Sequence, residues 1–206
     1  IHLSGSSGNT VTENTITNNY HGIYIHSSSD NTISGNNITN IYLRSIELYS
    51  SYDNSITENT MTNSFRGMWV SGSSNNTISG NIITKNDYDG ISLYGSADFN
   101  IISGNNITNS NYDGISLYGS SSNTITGNTI KNTSQCIHIH GSSNSNTVSE
   151  NVLTNNLRGI EVYSSSEFNA ISGNTIADSN SDGVYIHDSS FNIVSGNAVT
   201  ANYYGV

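Results

Sequence analysis

Carboxylates gather at one repeated position of the chain. Asp89 and Asp113 are each the middle residue of a Tyr-Asp-Gly segment, and Asp87 lies close by. If neighbouring strands bring the two segments together, carboxylates about 5 Å apart repel, which raises one pKa or recruits a cation. An acid and a base paired in this way can act on a glycosidic bond. Three roles remain open: ordinary turns with exposed ion pairs, a calcium site at Asp87, Asp89 and Asp113, and catalysis by Asp89 and Asp113. The ion pairs would join Arg66 to Asp89 and Arg158 to Asp182.

Aromatic side chains form a second candidate set. They stand between or just after apolar residues, so in an extended strand they point away from the core. A row of rings flanked by polar groups is typical of a surface that contacts polysaccharide, although aromatic pairs also stabilise neighbouring strands. The candidates for carbohydrate contact are Tyr24, Tyr49, Trp69, Tyr94, Tyr118 and Tyr163.

Histidines offer little for metal binding. His138 and His140 share one strand face, and two imidazoles without a nearby Cys form an incomplete ligand set. We therefore interpret them as exposed polar residues. The chain has neither a Gly-x-Ser-x-Gly segment nor a phosphate-binding glycine loop. The sequence predicts no cofactor, with Ca²⁺ at the aspartates as the one alternative.

One repeat must position all of these residues. From Asn9 to Asn192, an Asn followed two residues later by Val or Ile and five residues later by a second Asn recurs every 22 to 24 residues. Four apolar columns alternate with polar positions and are rich in β-branched residues, which indicates strands. One such unit cannot bury its apolar side alone, so successive units must stack.

The predicted fold is an all-β, right-handed parallel β-helix of about nine coils and three parallel sheets, forming one domain over residues 1–206. Stacked Asn side chains should hydrogen-bond from coil to coil and satisfy the turn backbone. A column of glycines marks a bend that needs positive φ or a close approach. Cys136 replaces the glycine in one coil and is expected to be a buried, inert thiol. Neither terminus resembles a polar cap, so we expect flanking repeats or end-to-end self-association.

Composition excludes several partners. The net charge is −10, and the only basic residues are Arg44, Arg66, Lys85, Lys131 and Arg158. Nucleic acid and anionic membranes both require clustered cations, so neither is an expected partner. No apolar run is long enough to enter a bilayer. Glycosylation sequons begin at Asn37, Asn75, Asn106 and Asn132.

The repeat resembles the NosD-type parallel β-helix repeat, as in the segment Asn31-Thr-Ile-Ser-Gly-Asn36-Asn-Ile-Thr-Asn40. That repeat also occurs in CASH-type carbohydrate-binding and sugar-hydrolase domains and in surface proteins of archaea and bacteria. The resemblance covers all nine coils and implies the same fold at an extracellular or cell-surface location. No catalytic set carries over, because the Asp-Pro-His motif of mannuronan epimerases needs a proline and this chain has none.

Two functions remain as hypotheses. The first is a non-catalytic structural or interaction module of a cell-surface protein, sheath or filament, which the uniform repeat favours. The second is a polysaccharide-binding or polysaccharide-modifying β-helix of hydrolase, lyase or epimerase type that uses the aromatic sheet. The second hypothesis needs a walled groove, and the short turns predict few walls.

Overall fold

Short strands stacked in parallel make up the whole structure, a computed structural model that describes all 206 residues. Its 27 strands form three nine-stranded parallel sheets, and each coil contributes one strand to each sheet. The structure confirms the predicted right-handed parallel β-helix of about nine coils. No helix is long and apolar enough to span a membrane.

The strands alternate regularly among the three sheets. Sheet 1 consists of β1 (His2–Ser4), β4 (His21–His26), β7 (Arg44–Tyr49), β10 (Arg66–Ser71), β13 (Ile91–Tyr94), β16 (Ile115–Tyr118), β19 (Gln135–His140), β22 (Arg158–Val162) and β25 (Val184–Ile186). Sheet 2 consists of β2 (Thr10–Thr12), β5 (Thr32–Ser34), β8 (Ser55–Thr57), β11 (Thr77–Ser79), β14 (Ile101–Ser103), β17 (Thr124–Thr126), β20 (Thr147–Ser149), β23 (Ala170–Ser172) and β26 (Ile193–Ser195). Sheet 3 consists of β3 (Thr15–Thr17), β6 (Asn37–Thr39), β9 (Thr60–Thr62), β12 (Ile82–Thr84), β15 (Asn106–Thr108), β18 (Thr129–Lys131), β21 (Val152–Thr154), β24 (Thr175–Ala177) and β27 (Ala198–Thr200).

The core is the set of predicted apolar columns. Each three-residue strand of sheets 2 and 3 points its central side chain inward, as Ile78 does between Ile56 and Ile102 in register. The inward side chains merge into one cluster of 34 buried residues. Burying each side chain of this size stabilises the fold by roughly 1.5–3 kcal/mol, so the stacked apolar side chains hold the coils together.

Buried asparagines form the predicted ladder between coils. The Oδ1 atom of Asn105 accepts hydrogen bonds from the backbone N–H and the Nδ2 of Asn81, both at 3.0 Å. Its own Nδ2 donates to the Ile78 carbonyl at 3.0 Å and to Oδ1 of Asn128 at 2.9 Å. Each amide therefore satisfies turn backbone that water cannot reach, as buried polar groups require.

The glycine column reflects close packing between coils. A Cβ placed on Gly114 would lie 2.6 Å from the Cys136 carbonyl oxygen and 2.4 Å from Cγ2 of Ile130. Positive φ angles occur at other glycines, such as Gly80, so close approach is the reason for this column. Cys136 lies in the same column and is fully buried, and this burial raises the pKa of its thiol, as the expected inert thiol requires.

The coil-to-coil ladder predicts a large effect for one buried amide. We expect Asn105→Ala to lower the free energy of unfolding by about 2–4 kcal/mol. The substitution leaves buried donors and acceptors without hydrogen-bond partners, and each such group costs about 1–3 kcal/mol. The adjacent Asn106 is exposed, so Asn106→Ala is a matched control that should change stability by less than about 0.5 kcal/mol. Urea unfolding of both variants measures the difference. Equal midpoints would show that the ladder does not hold the coils.

Candidate functional site

The outer face of sheet 1 carries three rows of side chains that follow the coil axis. The middle row runs Tyr24, Glu47, Trp69, Ser92, Ser116, His138, Glu161 and Tyr185. Only two adjacent members are small, Ser92 and Ser116, and they lie between Trp69 and His138. Above these two serines the sheet has a depression of about 520 Å³, which we call the groove.

One wall of the groove is the first ring row, Tyr94 and Tyr118, which Trp69 of the middle row joins by stacking on Tyr94. The Trp69 and Tyr94 rings stack with centroids 5.2 Å apart, and those of Tyr94 and Tyr118 with centroids 4.9 Å apart. Because the rings cover one another's faces, they present edges and phenol hydroxyls to the groove. Tyr163 continues this wall through a 5.4 Å stack on His140.

The opposite wall is a second ring row, Phe65, Tyr88 and Tyr112, whose two tyrosines line the groove. Their rings stack at 5.5 and 4.4 Å along the axis. Sequence reasoning missed this row, because only the aspartates of the Tyr-Asp-Gly segments are candidates there. An available signal is the aromatic residue two positions before a column glycine. The turns are short, as the sequence predicts, and side chains rather than long loops flank the groove.

A histidine and a carboxylate are paired on the floor. Nδ1 of His138 lies 2.7 Å from Oδ2 of Asp113 and forms a hydrogen bond with it. The His138 side chain is only 13% exposed, so the expectation of an exposed histidine is wrong. Its Nε2 is buried and has no hydrogen-bond partner, and Oε2 of Glu161 lies 3.9 Å away. The hydrogen bond to Asp113 fixes the orientation of the imidazole ring.

Asp89 is the second buried carboxylate of the floor. Ser92 Oγ donates a 2.6 Å hydrogen bond to Oδ2, and the Asp113 backbone N–H donates to Oδ1 at 3.3 Å. Burial, and then the charge of Asp113, raise the pKa of Asp89 to about 6, against the opposing effects of Ser92 and Arg66. The raised pKa expected of one carboxylate in this pair thus falls on Asp89.

Arginines mark both ends of the groove. Arg66 Nε lies 3.4 Å from Asp89 Oδ2, and Arg158 Nε lies 3.1 Å from Asp182 Oδ2, as the sequence predicts. Asp89 is buried, however, so the expectation that the first pair is exposed is wrong. Arg158 also donates to Glu161 at 3.0 Å. Two of the five basic residues of the chain therefore line one site.

The predicted calcium ligands do not converge. Asp89 and Asp113 are bound to Ser92 and His138, and Asp87 lies exposed on the preceding turn. No group of three or more His, Cys, Asp or Glu side chains is arranged to hold a metal ion. A calcium site at these aspartates is therefore not supported by their geometry.

The remaining predicted residues lie outside the groove. Tyr24 stacks on His2 at 4.9 Å, and Tyr49 contacts His26 at 5.5 Å, so neither joins the other four carbohydrate candidates. All four sequon asparagines are exposed, which leaves their glycosylation a prediction. They are Asn37, Asn75, Asn106 and Asn132.

Fold and repeat together place the chain in a class of parallel β-helix repeat proteins. The family described as periplasmic copper-binding protein (NosD) matches residues 1–166 and 141–206, and the chain belongs to this family. The resemblance seen in the repeat is thereby confirmed. No curated protein matches the chain by sequence.

Solved structures share the fold at low sequence identity. The periplasmic alginate epimerase AlgG superposes with a TM-score of 0.82 at 21% identity over 91% of this chain, which spans only 50% of that enzyme. An alginate lyase from Paenibacillus sp. gives 0.74 at 16% identity, covering 99% of this chain and 91% of the lyase. The mannuronan C-5 epimerase AlgE4 A-module of Azotobacter vinelandii gives 0.71 at 12% identity, with 100% and 77% covered. These likenesses establish the fold alone.

The copper in the family's description does not fit the donors of this chain. Met61, Met68 and Cys136 carry the sulfur atoms that copper favours, and all three are fully buried in the core. His138 Nδ1 is bonded to Asp113, and no three-residue donor group exists around it. The residues present do not form a copper site.

The raised pKa of Asp89 makes stability depend on pH in a defined direction. Its folded-state pKa, about 6, exceeds the ordinary 3.8, so the folded protein holds the proton more tightly than the unfolded chain. The stability from this group is present at low pH and is lost as pH rises through about 6. Asp89→Asn cannot ionise, so between about pH 4 and about pH 7 its unfolding free energy should gain roughly 1–3 kcal/mol relative to the parent.

Urea unfolding of the parent and the variant near the two pH values measures this gain. Asp178→Asn, on an exposed turn, is the matched control and should follow the parent throughout. A variant of Asp89 that also follows the parent would show that this carboxyl is not proton-linked to folding.

Proposed function

We propose that the groove on sheet 1 binds a polysaccharide chain. The observation that carries this proposal is the polar floor opened by Ser92 and Ser116 between two ring rows. A sugar presents hydroxyls along its edge and apolar C–H groups on its faces. The groove offers carboxylates, histidines, arginines and phenol hydroxyls for the first and aromatic edges for the second.

The shape of the solenoid supports a polymeric ligand. The rows of sheet 1 run along the coil axis, with successive coils about 4.8 Å apart. A linear chain lying along this axis meets a new set of side chains at each coil. The alginate epimerases and alginate lyase that share the fold are, by their names, proteins that act on a polysaccharide, which agrees with this use of the scaffold.

The same proposal locates the protein in the cell envelope or outside the cell. The family is described as periplasmic, and polysaccharides of envelopes and matrices are found there. Roles as a sheath, a filament or a self-stacking module stay predictions from the sequence. They are compatible with a groove, because stacking uses the ends of the solenoid and the groove lies on its side.

A second candidate function is modification of the bound sugar by proton transfer, favoured by the unpartnered Nε2 of His138, a buried atom that reaches a sugar only after its side chain moves toward the groove. On a uronate, the C5–H bond breaks, its proton moves to Nε2, and the electron pair spreads into the sugar carboxylate beside Arg66 or Arg158. A tyrosine hydroxyl that donates its proton to the opposite face gives the epimer, and proton exchange with water then restores both side chains. Departure of the C4 oxygen, protonated by a tyrosine, gives an unsaturated sugar; burial raises the pKa of Tyr163, which keeps a proton available.

Binding can be tested by blocking the groove. Calorimetry against polymannuronate, polygalacturonate, xylan, a soluble β-glucan and chitin oligosaccharides should find at least one ligand. Ser116→Tyr fills the floor and should weaken that binding at least about tenfold, a loss of about 1.4 kcal/mol. Ser149→Tyr puts the same side chain on an outward position of sheet 2 and should bind normally. No ligand in the panel, or equal affinity of both variants, would refute the groove as a polysaccharide site.

Proton transfer can be tested separately in D₂O. Incubation with polymannuronate should give deuterium at C5 by NMR or an unsaturated product by absorbance. His138→Gln and Asp113→Asn should abolish both signals, because each removes the oriented base. His2→Gln, an exposed histidine outside the groove, should retain them. If the parent protein gives neither signal, the catalytic candidate is excluded and binding alone remains.

A further inference from the structure

The second ring row belongs to a longer line of rings that is interrupted once. Tyr20 and Tyr42, in the first two coils, stack with centroids 5.3 Å apart. Phe65, Tyr88 and Tyr112 stack in the next three. No stacking contact joins Tyr42 to Phe65, so each of these rings lacks a stacked ring on the side of the interruption.

A leucine at the ring position interrupts the line in the second coil. Phe65 stands immediately before Arg66, as Tyr88 and Tyr112 stand immediately before their aspartates, whereas Leu43 takes that place before Arg44. Tyr42 lies one residue earlier in the turn and is 75% exposed.

A cleft of about 410 Å³ occupies the gap. Tyr42 and Phe65 form its walls, and its floor consists of Ile41, Leu43 and Ser64. Tyr42 and Phe65 each lack a stacked ring on the side of the interruption, which leaves aromatic surface at the cleft. An open ring face is weakly negative and attracts the C–H groups of a sugar, which makes this cleft different in kind from the groove with its ring edges.

The charge at the rim selects among sugars. Asp87 lines the cleft, is exposed and forms no salt bridge, whereas each carboxylate of the groove floor has a basic or hydroxyl partner. An unpaired carboxylate repels the carboxylate of a uronate. The rim amide of Asn63 can bond to hydroxyls without any such penalty. An uncharged pyranose fits these side chains, and a uronate does not.

The cleft is continuous with the groove. Phe65 forms one wall of the cleft and stacks on Tyr88, which forms a section of the groove wall. A chain that lies along the axis in the groove therefore extends toward the cleft within one or two coils.

We infer that the cleft between Tyr42 and Phe65 is a second carbohydrate subsite that takes an uncharged pyranose residue, and this inference rests on the proposed polysaccharide function. The full site then combines polar recognition in the groove with ring-face recognition in the cleft.

Saturation-transfer NMR with methyl β-D-glucopyranoside and methyl β-D-glucuronide, which differ only in the carboxylate, tests the inference. The parent protein should transfer saturation strongly to the glucoside and weakly to the glucuronide. Tyr42→Ala should remove most of the glucoside signal without unfolding the protein, because the ring is exposed. Tyr52→Ala removes a tyrosine that is also exposed and lies outside both sites, and it should keep the signal. Asp87→Asn should raise the glucuronide signal toward that of the glucoside.

Ser116→Tyr separates failure of the cleft from failure of the groove. It should keep the glucoside signal, because the cleft is untouched. If Ser116→Tyr rather than Tyr42→Ala removes the signal, the sugar binds only in the groove, and the cleft subsite is refuted while the polysaccharide function stands. The subsite is also refuted if the parent gives no glucoside signal, or if the parent and Tyr42→Ala give equal signals. In that case, calorimetry with the polysaccharide panel remains the separate test of the groove.

Discussion

The hydrogen-bonded register between successive coils is the constraint on which everything else depends. Backbone ladders and the asparagine amides hold each residue above its counterpart in the coil below, as Asn81, Asn105 and Asn128 show. A slip of one residue turns every inward side chain to the opposite face, and a slip of two residues separates the stacked amides, so the apolar core and the amide ladder together fix the register. The outer surface is then an array whose rows are set by the interior.

This constraint explains how a uniform scaffold acquires a local site. Most coils present a large or charged side chain in the middle row of sheet 1, and Ser92 and Ser116 replace it in two adjacent coils. No long loop is needed, because the side chains of the neighbouring coils flank the depression. In the second coil, Leu43 takes the place of a ring and opens the second ring row beside Tyr42. Small local changes on a rigid register are sufficient to create both concave features.

The sequence was most informative at positions where similar residues recur in every coil. The apolar columns, the Asn ladder and the three-sheet solenoid could all be predicted, because each depends on the repeat period alone. The contact between Asp113 and His138 could not, since it runs diagonally between two different rows. The second ring row carried a signal in the aromatic residue before three of the five Asp-Gly or Arg-Gly pairs, at Phe65, Tyr88 and Tyr112, although the other two pairs follow Leu157 and Ser181. Burial was the other missing quantity, because a column position on a turn does not reveal that Asp89 is covered by its neighbours.

A crystal structure with a bound oligosaccharide from the best polymer of the binding panel tests the central claim most directly. The account predicts a sugar chain that lies along the coil axis over Ser92 and Ser116, between the two ring rows and against the side chain of His138. A chain bound across the coils, or on sheet 2 or sheet 3 with the groove empty, would contradict it.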